Sequence, residues 1–478
     1  MRSPVPATPT QPQAATVSLY RKGQKIQPKA VQGLFVKWRW AFVWLTQLLF
    51  YGLPWLMWND RQALLFDLGA RRFYIFGLVF YPQDFIYLTA LLLLSAYALF
   101  LFTAVAGRLW CGYACPQTVY TEIFMWIERR IEGDRAARLR LDAAPWSAHK
   151  IARRSAKHAA WIAVALATGF TFVGYFTPIR ELAVQAAAFE LSGWESFWTF
   201  FYGLATYGNA GFMREQVCKY MCPYARFQSA MFDKDTLIIS YDSARGEPRG
   251  ARGKKADAKA LGLGSCVDCG QCVQVCPTGI DIRKGLQYEC IGCAACVDAC
   301  DEIMDKMGYA KGLVRYATQN GLAQGLSRRD QLRRIFRPRV LVYSSALLLI
   351  AGAVATSIAL RTPFKVDVVR DRSSLARVVD DGYVENVYRL QIMNATESAQ
   401  RYRVEASGLA GLALQAPVDV ALSPAEARWV TVALRLPPEA AAQAGAGAHT
   451  VHFDIERVAS ADEAARSLDE KSTFVVPR

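Results

Sequence analysis

The chain has 478 residues, 53% hydrophobic and 20% charged, with 12 Trp, 21 Tyr, 25 Phe and a formal net charge of +15. That composition excludes a disordered, collagen-like or coiled-coil chain. The apolar residues gather into runs long enough to cross a bilayer, which excludes a wholly soluble enzyme. There is no Rossmann fingerprint and no P-loop, so nucleotide chemistry has no seat.

Residues 1–36 are Pro/Gln/Ala-rich and basic, with no acid and no apolar core of a signal peptide, and read as a flexible cytoplasmic tail. A membrane domain is expected over 37–232. Its spans run from about Trp38 to Trp58, Phe85 to Val105, Ala159 to Phe176 and Trp194 to Phe212. A fifth occupies 340–360, each stretch being near the roughly 20 residues that a bilayer core requires. Loop charges orient them. The segment 107–158 has 10 Lys/Arg against 5 Asp/Glu, and 213–339 has 21 against 14, whereas 361–478 has 14 against 16. The positive-inside bias puts the N-terminus and the first two loops in the cytoplasm and the C-terminal part outside. The connection 59–83 runs against the bias with Arg61, Arg71 and Arg72, and its apolar Phe73 to Phe80 reads as interfacial. The basic runs Lys254-Lys255 and Arg328-Arg329 to Arg339 lie beside spans and suit anionic lipid headgroups rather than nucleic acid. After Leu360 the pattern alternates, as in Val387-Tyr388-Arg389-Leu390-Gln391-Ile392. Turn residues separate the segments, so 361–478 is expected to be an antiparallel sandwich of about seven strands.

All 12 cysteines lie in short-spaced clusters, which points to metal ligation in a reducing compartment rather than to disulfides. Cys266-x2-Cys269-x2-Cys272-x3-Cys276-Pro277 and Cys290-x2-Cys293-x2-Cys296-x3-Cys300 are two bacterial ferredoxin runs within a cytoplasmic insert, 233–339. In such runs the fourth cysteine reaches the other cluster. Cys266, Cys269, Cys272 and Cys300 are therefore expected to hold one 4Fe-4S cluster, and Cys276, Cys290, Cys293 and Cys296 the second. Structural zinc is the weaker alternative, because zinc sites seldom use eight cysteines in this doubled spacing. Asp301 stands where the second run would have its proline and is expected to loosen the last turn.

A repeat precedes this region: Cys111-Gly112-Tyr113-Ala114-Cys115-Pro116 and Cys218-Lys219-Tyr220-Met221-Cys222-Pro223 share C-x-Y-x-C-P, each after a pair of spans. On a helix, positions i and i+4 share a face, so each pair presents two sulfurs together. The residues leave three readings open: a soft metal such as Cu(I) held by all four thiols, a redox dithiol, or small residues packing at a helix interface. Met213 and Met221 flank the second pair and fit a core or lipid-facing role better than ligation. Tyr113 and Tyr220 repeat with the motif. His149 and His158 form no pair across facing helices, which argues against a bis-histidine haem.

These motifs, together with Glu385-Asn386-Val387-Tyr388-Arg389-Leu390-Gln391-Ile392-Met393-Asn394, resemble the FixG/CcoG (RdxA) family of cytochrome c oxidase accessory proteins, membrane polyferredoxins, over nearly the whole chain. The resemblance implies an Ig-like periplasmic C-terminal domain in a multi-pass protein of the bacterial inner membrane. It also implies a cupric reductase role, Cu(II) being reduced to Cu(I) for assembly of cbb3-type cytochrome c oxidase. The partners would be oxidase subunits or copper chaperones, with an unidentified cytoplasmic electron donor. Two other functions compete: a quinol-linked transmembrane conduit of NapH type, for which no charged or His pair inside the spans provides a pocket, and a non-catalytic oxidase assembly scaffold.

Overall fold

The computed structural model describes residues 25–258, 260–372, 375–459 and 464–478. The expected N-terminal tail lies outside the described residues up to position 24. From residue 25 it is a docked strap rather than a free tail: Lys29 N–H donates to Gln274 O at 2.8 Å and Ala30 N–H to Asp134 at 2.9 Å.

Helix α1 (Leu34–Gly52) has no capping side chain of its own. The Asp298 carboxylate supplies one, accepting from the Phe35 and Val36 amides at 3.2 and 2.9 Å, where negative charge also complements the helix dipole. Only glycine fits at position 33, since a Cβ there would fall inside that carboxylate. Asp298 belongs to the helix Ala295–Met307 of the cysteine-rich region, so α1 starts on that layer.

At its far end the chain forms a hairpin, β1 (Met57–Trp58) with β2 (Arg61–Gln62), and an antiparallel sheet of β3 (Leu64–Asp67), β4 (Arg72–Ile75) and β5 (Leu78–Phe80). The apolar stretch expected at the interface is thus paired strand, with Tyr74 and Val79 buried. Helix α2 (Phe85–Ala106) returns. It is followed by α3 (Leu109–Tyr113), α4 (Pro116–Glu132), α5 (Arg135–Ala143), α6 (Ala148–Val173), α7 (Ile179–Ala188) and α8 (Gly193–Thr206). Helix α8 passes without a break into a π-helical stretch, Tyr207–Met213; a second, Val217–Met221, precedes α9 (Pro223–Met231). Helix α6 begins well before the apolar run that announced it. Ser147 caps it, and its first turns are basic.

Among the described residues, three helical segments are long and apolar enough to cross a membrane: Pro82–Ala106, Ala148–Val173 and Pro338–Ala359. Tertiary bonds tie together the segments at the two ends of these helices. On the cysteine-rich side, Arg337 meets Asp233 at 3.0 Å and Arg214, just past α8, meets Glu128 at 3.0 Å. On the opposite side, the Gln62 amide donates to Gly174 O at 2.8 Å, and Arg361 reaches Val79 O at 2.8 Å.

The C-terminal part is a two-sheet sandwich. One sheet runs β12 (Ala413–Leu414), β14 (Ala427–Leu436), β10 (Val384–Asn394), β8 (Phe364–Arg370), with β9 (Arg377–Val378) also on β10. The other runs β13 (Val418–Leu422), β11 (Gln400–Ser407), β15 (Gly447–Arg457), β16 (Arg466–Val476). Every pairing is antiparallel. Alternate residues of β10 and β15, such as Tyr388, Leu390, Phe453 and Ile455, fill the space between the sheets. The sandwich rests on the β3–β5 sheet: Tyr81 donates to Asn394 O at 2.9 Å and Ala425 O at 3.1 Å, and Asp84 binds Arg361 and Lys365, each at 2.6 Å.

Candidate metal centres

The pair β6 (Ile238–Tyr241) and β7 (Val314–Ala317) closes the cysteine-rich module. Inside it, the two runs make matching loops. Gly270 and Ala294, at φ 64° and 58°, each precede the helix that carries the third cysteine of its run, Gln271–Gln274 and Ala295–Met307. These loops bound two cavities. Cys266, Cys269, Cys272 and Cys300 line one. Cys276, Cys290, Cys293 and Cys296, with Cys272 at the wall, line the other. Both crossed ligands, Cys300 and Cys276, lie on the cavity of the opposite run. No group of three or more Cys, His, Asp or Glu side chains among the described residues closes on a single-ion point. Four thiols around each cavity suit a cubane, which takes each on a different iron. Zinc would draw four sulfurs to about 2.3 Å of one centre. Asp301 does not loosen its turn. With no proline there the helix continues to Met307, and the Asp301 carboxylate accepts from Gly312 N–H at 2.8 Å.

Burial pushes the Cys272 thiol up to about 11 and Cys290 and Cys300 to about 12. Such thiols are protonated at neutral pH, and binding iron must displace their protons.

The repeated thiol pairs do not lie on continuous helices. Cys111 is within α3, but Cys115 is extended at ψ 128°, and α4 begins at Pro116. Cys218 is π-helical and Cys222 is extended at ψ 110° before Pro223 opens α9. A proline bars the helical conformation to the residue before it and suits the first helical position itself. Each second cysteine is therefore a cap at a break. The four thiols face one another closely enough to interact electrostatically, Cys111 with Cys115 and Cys218, and Cys115 and Cys218 each with Cys222. Burial raises Cys111 to about 12 and Cys218 to about 11. The Cys111 thiol donates to the buried Gln228 at 3.5 Å.

The two kinds of centre touch. A Cβ on Gly112 would meet the Cys293 backbone at 2.9 Å, so the first thiol motif lies directly on the second cluster loop. Cys218 and Cys293 line one cavity. Arg108, buried, acts electrostatically on Cys111, Cys218 and Cys290 alike. Sequence reasoning missed Arg108 and Gln228, which carry no motif. Gly112 was within a motif, but nothing local marked its long-range contact.

Other singled-out residues lie apart. His149 is exposed. His158 stacks on Phe212 with ring centroids 6.0 Å apart. Met213 and Met221 are exposed. Tyr113 is buried beside Tyr316, whereas Tyr220 is 68% exposed, so the repeat is not symmetric in its tyrosines.

A 4Fe-4S dicluster domain matches residues 213–319, a second 4Fe-4S binding domain matches 88–133, and the Ig-like fold found at the C-terminus of FixG matches 354–477. The nitrogen fixation protein FixG of Rhizobium meliloti (strain 1021) is 40% identical over 407 residues, 79% of this chain and 78% of its own length. Proteins RdxB and RdxA of Cereibacter sphaeroides are 39% and 38% identical, covering 85% and 82% of this chain and 86% and 84% of theirs. The chain belongs to the FixG/RdxA family. As a FixG/RdxA protein it is an iron–sulfur membrane protein with an Ig-like C-terminal domain. Among solved structures, a FixG-related protein from Vibrio parahaemolyticus is 23% identical and covers 24% of this chain and 97% of its own, at a TM-score of 0.21. The 4Fe-4S match at 88–133 includes Cys111 and Cys115, for which the sequence leaves a soft metal such as copper, a redox dithiol and helix packing open.

Proposed function

We propose that this FixG/RdxA protein is an electron-transfer protein of the bacterial inner membrane that reduces Cu(II) to Cu(I) for assembly of cbb3-type cytochrome c oxidase. Cys266, Cys269, Cys272 and Cys300 hold one 4Fe-4S cluster, and Cys276, Cys290, Cys293 and Cys296 the other. When bound, the clusters supply one-electron storage. Copper is the substrate, received by Cys111, Cys115, Cys218 and Cys222; soft thiolates favour the lower oxidation state and so draw the electron onto the metal. One observation carries the reading: Gly112, between Cys111 and Cys115, rests on the backbone of Cys293, leaving no layer between donor loop and acceptor thiols. Arg108, facing both, offsets negative charge gained on either side.

The reading includes five spans, α1, α2, α6, α8 with its π-helical extension, and Pro338–Ala359, since each runs between the cysteine-rich layer and the sandwich side. It divides the chain into a membrane domain at 37–232, a cytoplasmic cluster domain at 233–339, a fifth span at 340–360 and a periplasmic sandwich at 361–478.

A second reading rests on the 4Fe-4S match at 88–133: the four paired thiols hold a third cluster. Metal analysis of anaerobically prepared protein separates the two. With serine at Cys111, Cys115, Cys218 and Cys222, the copper reading expects copper binding to vanish while iron stays at about eight per chain, two 4Fe-4S clusters. Copper retained by that variant, or iron falling by about four, overturns it.

A further inference from the structure

Electrons that reach the clusters from outside must cross the surface of the cysteine-rich module. Tunnelling falls steeply with distance, so the entry point is where a cluster comes nearest to solvent. Of the twelve cysteines, Cys269 alone is exposed. It lines the first cavity. The cysteines of the second are buried or half-buried, and Cys293 lies under Gly112. Cys272 lines both cavities, so the two adjoin. The module therefore has an open end at Cys269 and a closed end at the paired thiols.

The surroundings of the open end are basic. Residues 245–260 have six Lys/Arg against two Asp/Glu, and this loop is laid along the first cluster loop. Gly250 N–H donates to Cys266 O at 3.3 Å, Arg252 donates to Cys266 O at 3.2 Å and Gly264 O at 2.6 Å, and Gly264 N–H returns to Pro248 O at 2.8 Å. Arg249 and Arg283 flank Asp268, the neighbour of Cys269, and are matched by it and by Glu247 and Asp281. Lys254, Lys255 and Lys284 are the surplus: each is exposed and has no ion-pair partner among the described residues. Leu261, at the end of the same loop, is exposed as well, and an apolar spot with a charged rim is the usual make-up of a protein interface. Charge alone would suit anionic lipid headgroups equally. A lipid contact gives no reason for the surplus to gather beside the exposed cluster ligand, whereas an electron-carrying protein needs both together.

We propose that the face bounded by Cys269, Lys254, Lys255 and Lys284 docks a small acidic one-electron carrier protein, the donor to the first cluster. The proposal rests on the electron-transfer reading above and names its donor by class. The step moves one electron: the reduced centre of the carrier loses it, the first 4Fe-4S cluster gains it, and no bond or proton is transferred. Complementary charge steers the encounter, so the rate falls as salt screens it.

The test uses the full chain, prepared anaerobically in phosphatidylcholine nanodiscs without copper, with a reduced acidic 2Fe-2S ferredoxin as the probe. Stopped-flow absorbance is expected to show cluster reduction at a rate that falls steeply with salt. Combining Lys254→Glu, Lys255→Glu and Lys284→Glu is expected to slow it about tenfold or more, while dithionite reduces that variant to the wild-type extent. Acetylation read by mass spectrometry is expected to find the three lysines shielded when ferredoxin is present. No transfer from ferredoxin, or a rate that neither salt nor the variant alters, overturns the proposal. So does shielding of the lysines by phosphatidylglycerol nanodiscs alone, which would mark a lipid contact. Clusters that resist even dithionite overturn the electron-transfer reading and this proposal with it; the other failures leave that reading standing.

Discussion

Arg108 is one buried cation shared by three thiols from two motifs, Cys111, Cys218 and Cys290. A positive charge beside a redox centre favours its reduced, more negative form. Arg108→Met is therefore expected to move the midpoint of the second cluster to more negative potential, while the first cluster shifts less. Potentiometric titration followed by paramagnetic resonance reads both. The cysteines themselves were legible because ligand spacing is a local property. Which thiol belongs to which cavity also followed, since the doubled run fixes the crossing of Cys276 and Cys300. Arg108 and Gln228 were not legible, because a lone Arg or Gln has no pattern and their hydrogen-bond partners, Ala225 and Cys111, are more than a hundred residues away.

Helix α4 shows the same limit for whole elements. Its sequence reads as part of a basic loop, yet it buries Glu122, Glu128 and Glu132. Glu128, with its side chain 1% exposed, binds Arg138 at 2.9 Å and Arg214 at 3.0 Å. Hydropathy finds apolar runs, and a helix whose buried face is acidic and matched by arginines from elsewhere escapes it. The early start of α6 at Ala148 escaped for the same reason. Breaking one partner of a buried pair strands the others, so Glu128→Gln is expected to cost about 3–5 kcal/mol, read as a lower thermal midpoint. Acid has a related effect. Burial pushes Glu128 up, but Arg214, Arg138 and Lys25 outweigh it and hold the group below its ordinary 4.5. Its contribution is whole above that pH and is lost as pH falls through the folded-state value. The wild-type midpoint is expected to drop on acidification below about pH 4.5, and the Glu128→Gln profile to be flatter there.

At the scale of the molecule, long apolar helices and the C-terminal sandwich were readable from hydropathy and strand alternation. The sandwich is a case in point. Its seven longer strands alternate visibly in sequence, while β9 and β12, two residues each, carry no period to detect. What could not be read was how the sandwich attaches. Asp84, with its side chain 2% exposed, binds Arg361 and Lys365 at the exit of the last helix, so the sandwich is clamped and not tethered. Asp84→Asn is expected to free that exit. Tryptic cleavage after Arg361 or Lys365 should speed up by more than tenfold, each tenfold corresponding to about 1.4 kcal/mol of local opening. An unchanged cleavage rate would show that Tyr81 alone holds the joint.

Asp298 sits on one helical turn with Cys296 and Cys300 and anchors the first amides of α1. The first helix among the described residues thus takes the cap for its first amides from a segment some 260 residues further along the chain. Loss of the clusters is expected to loosen that turn and uncap the helix, read as faster amide exchange at Phe35 and Val36 in iron-free protein.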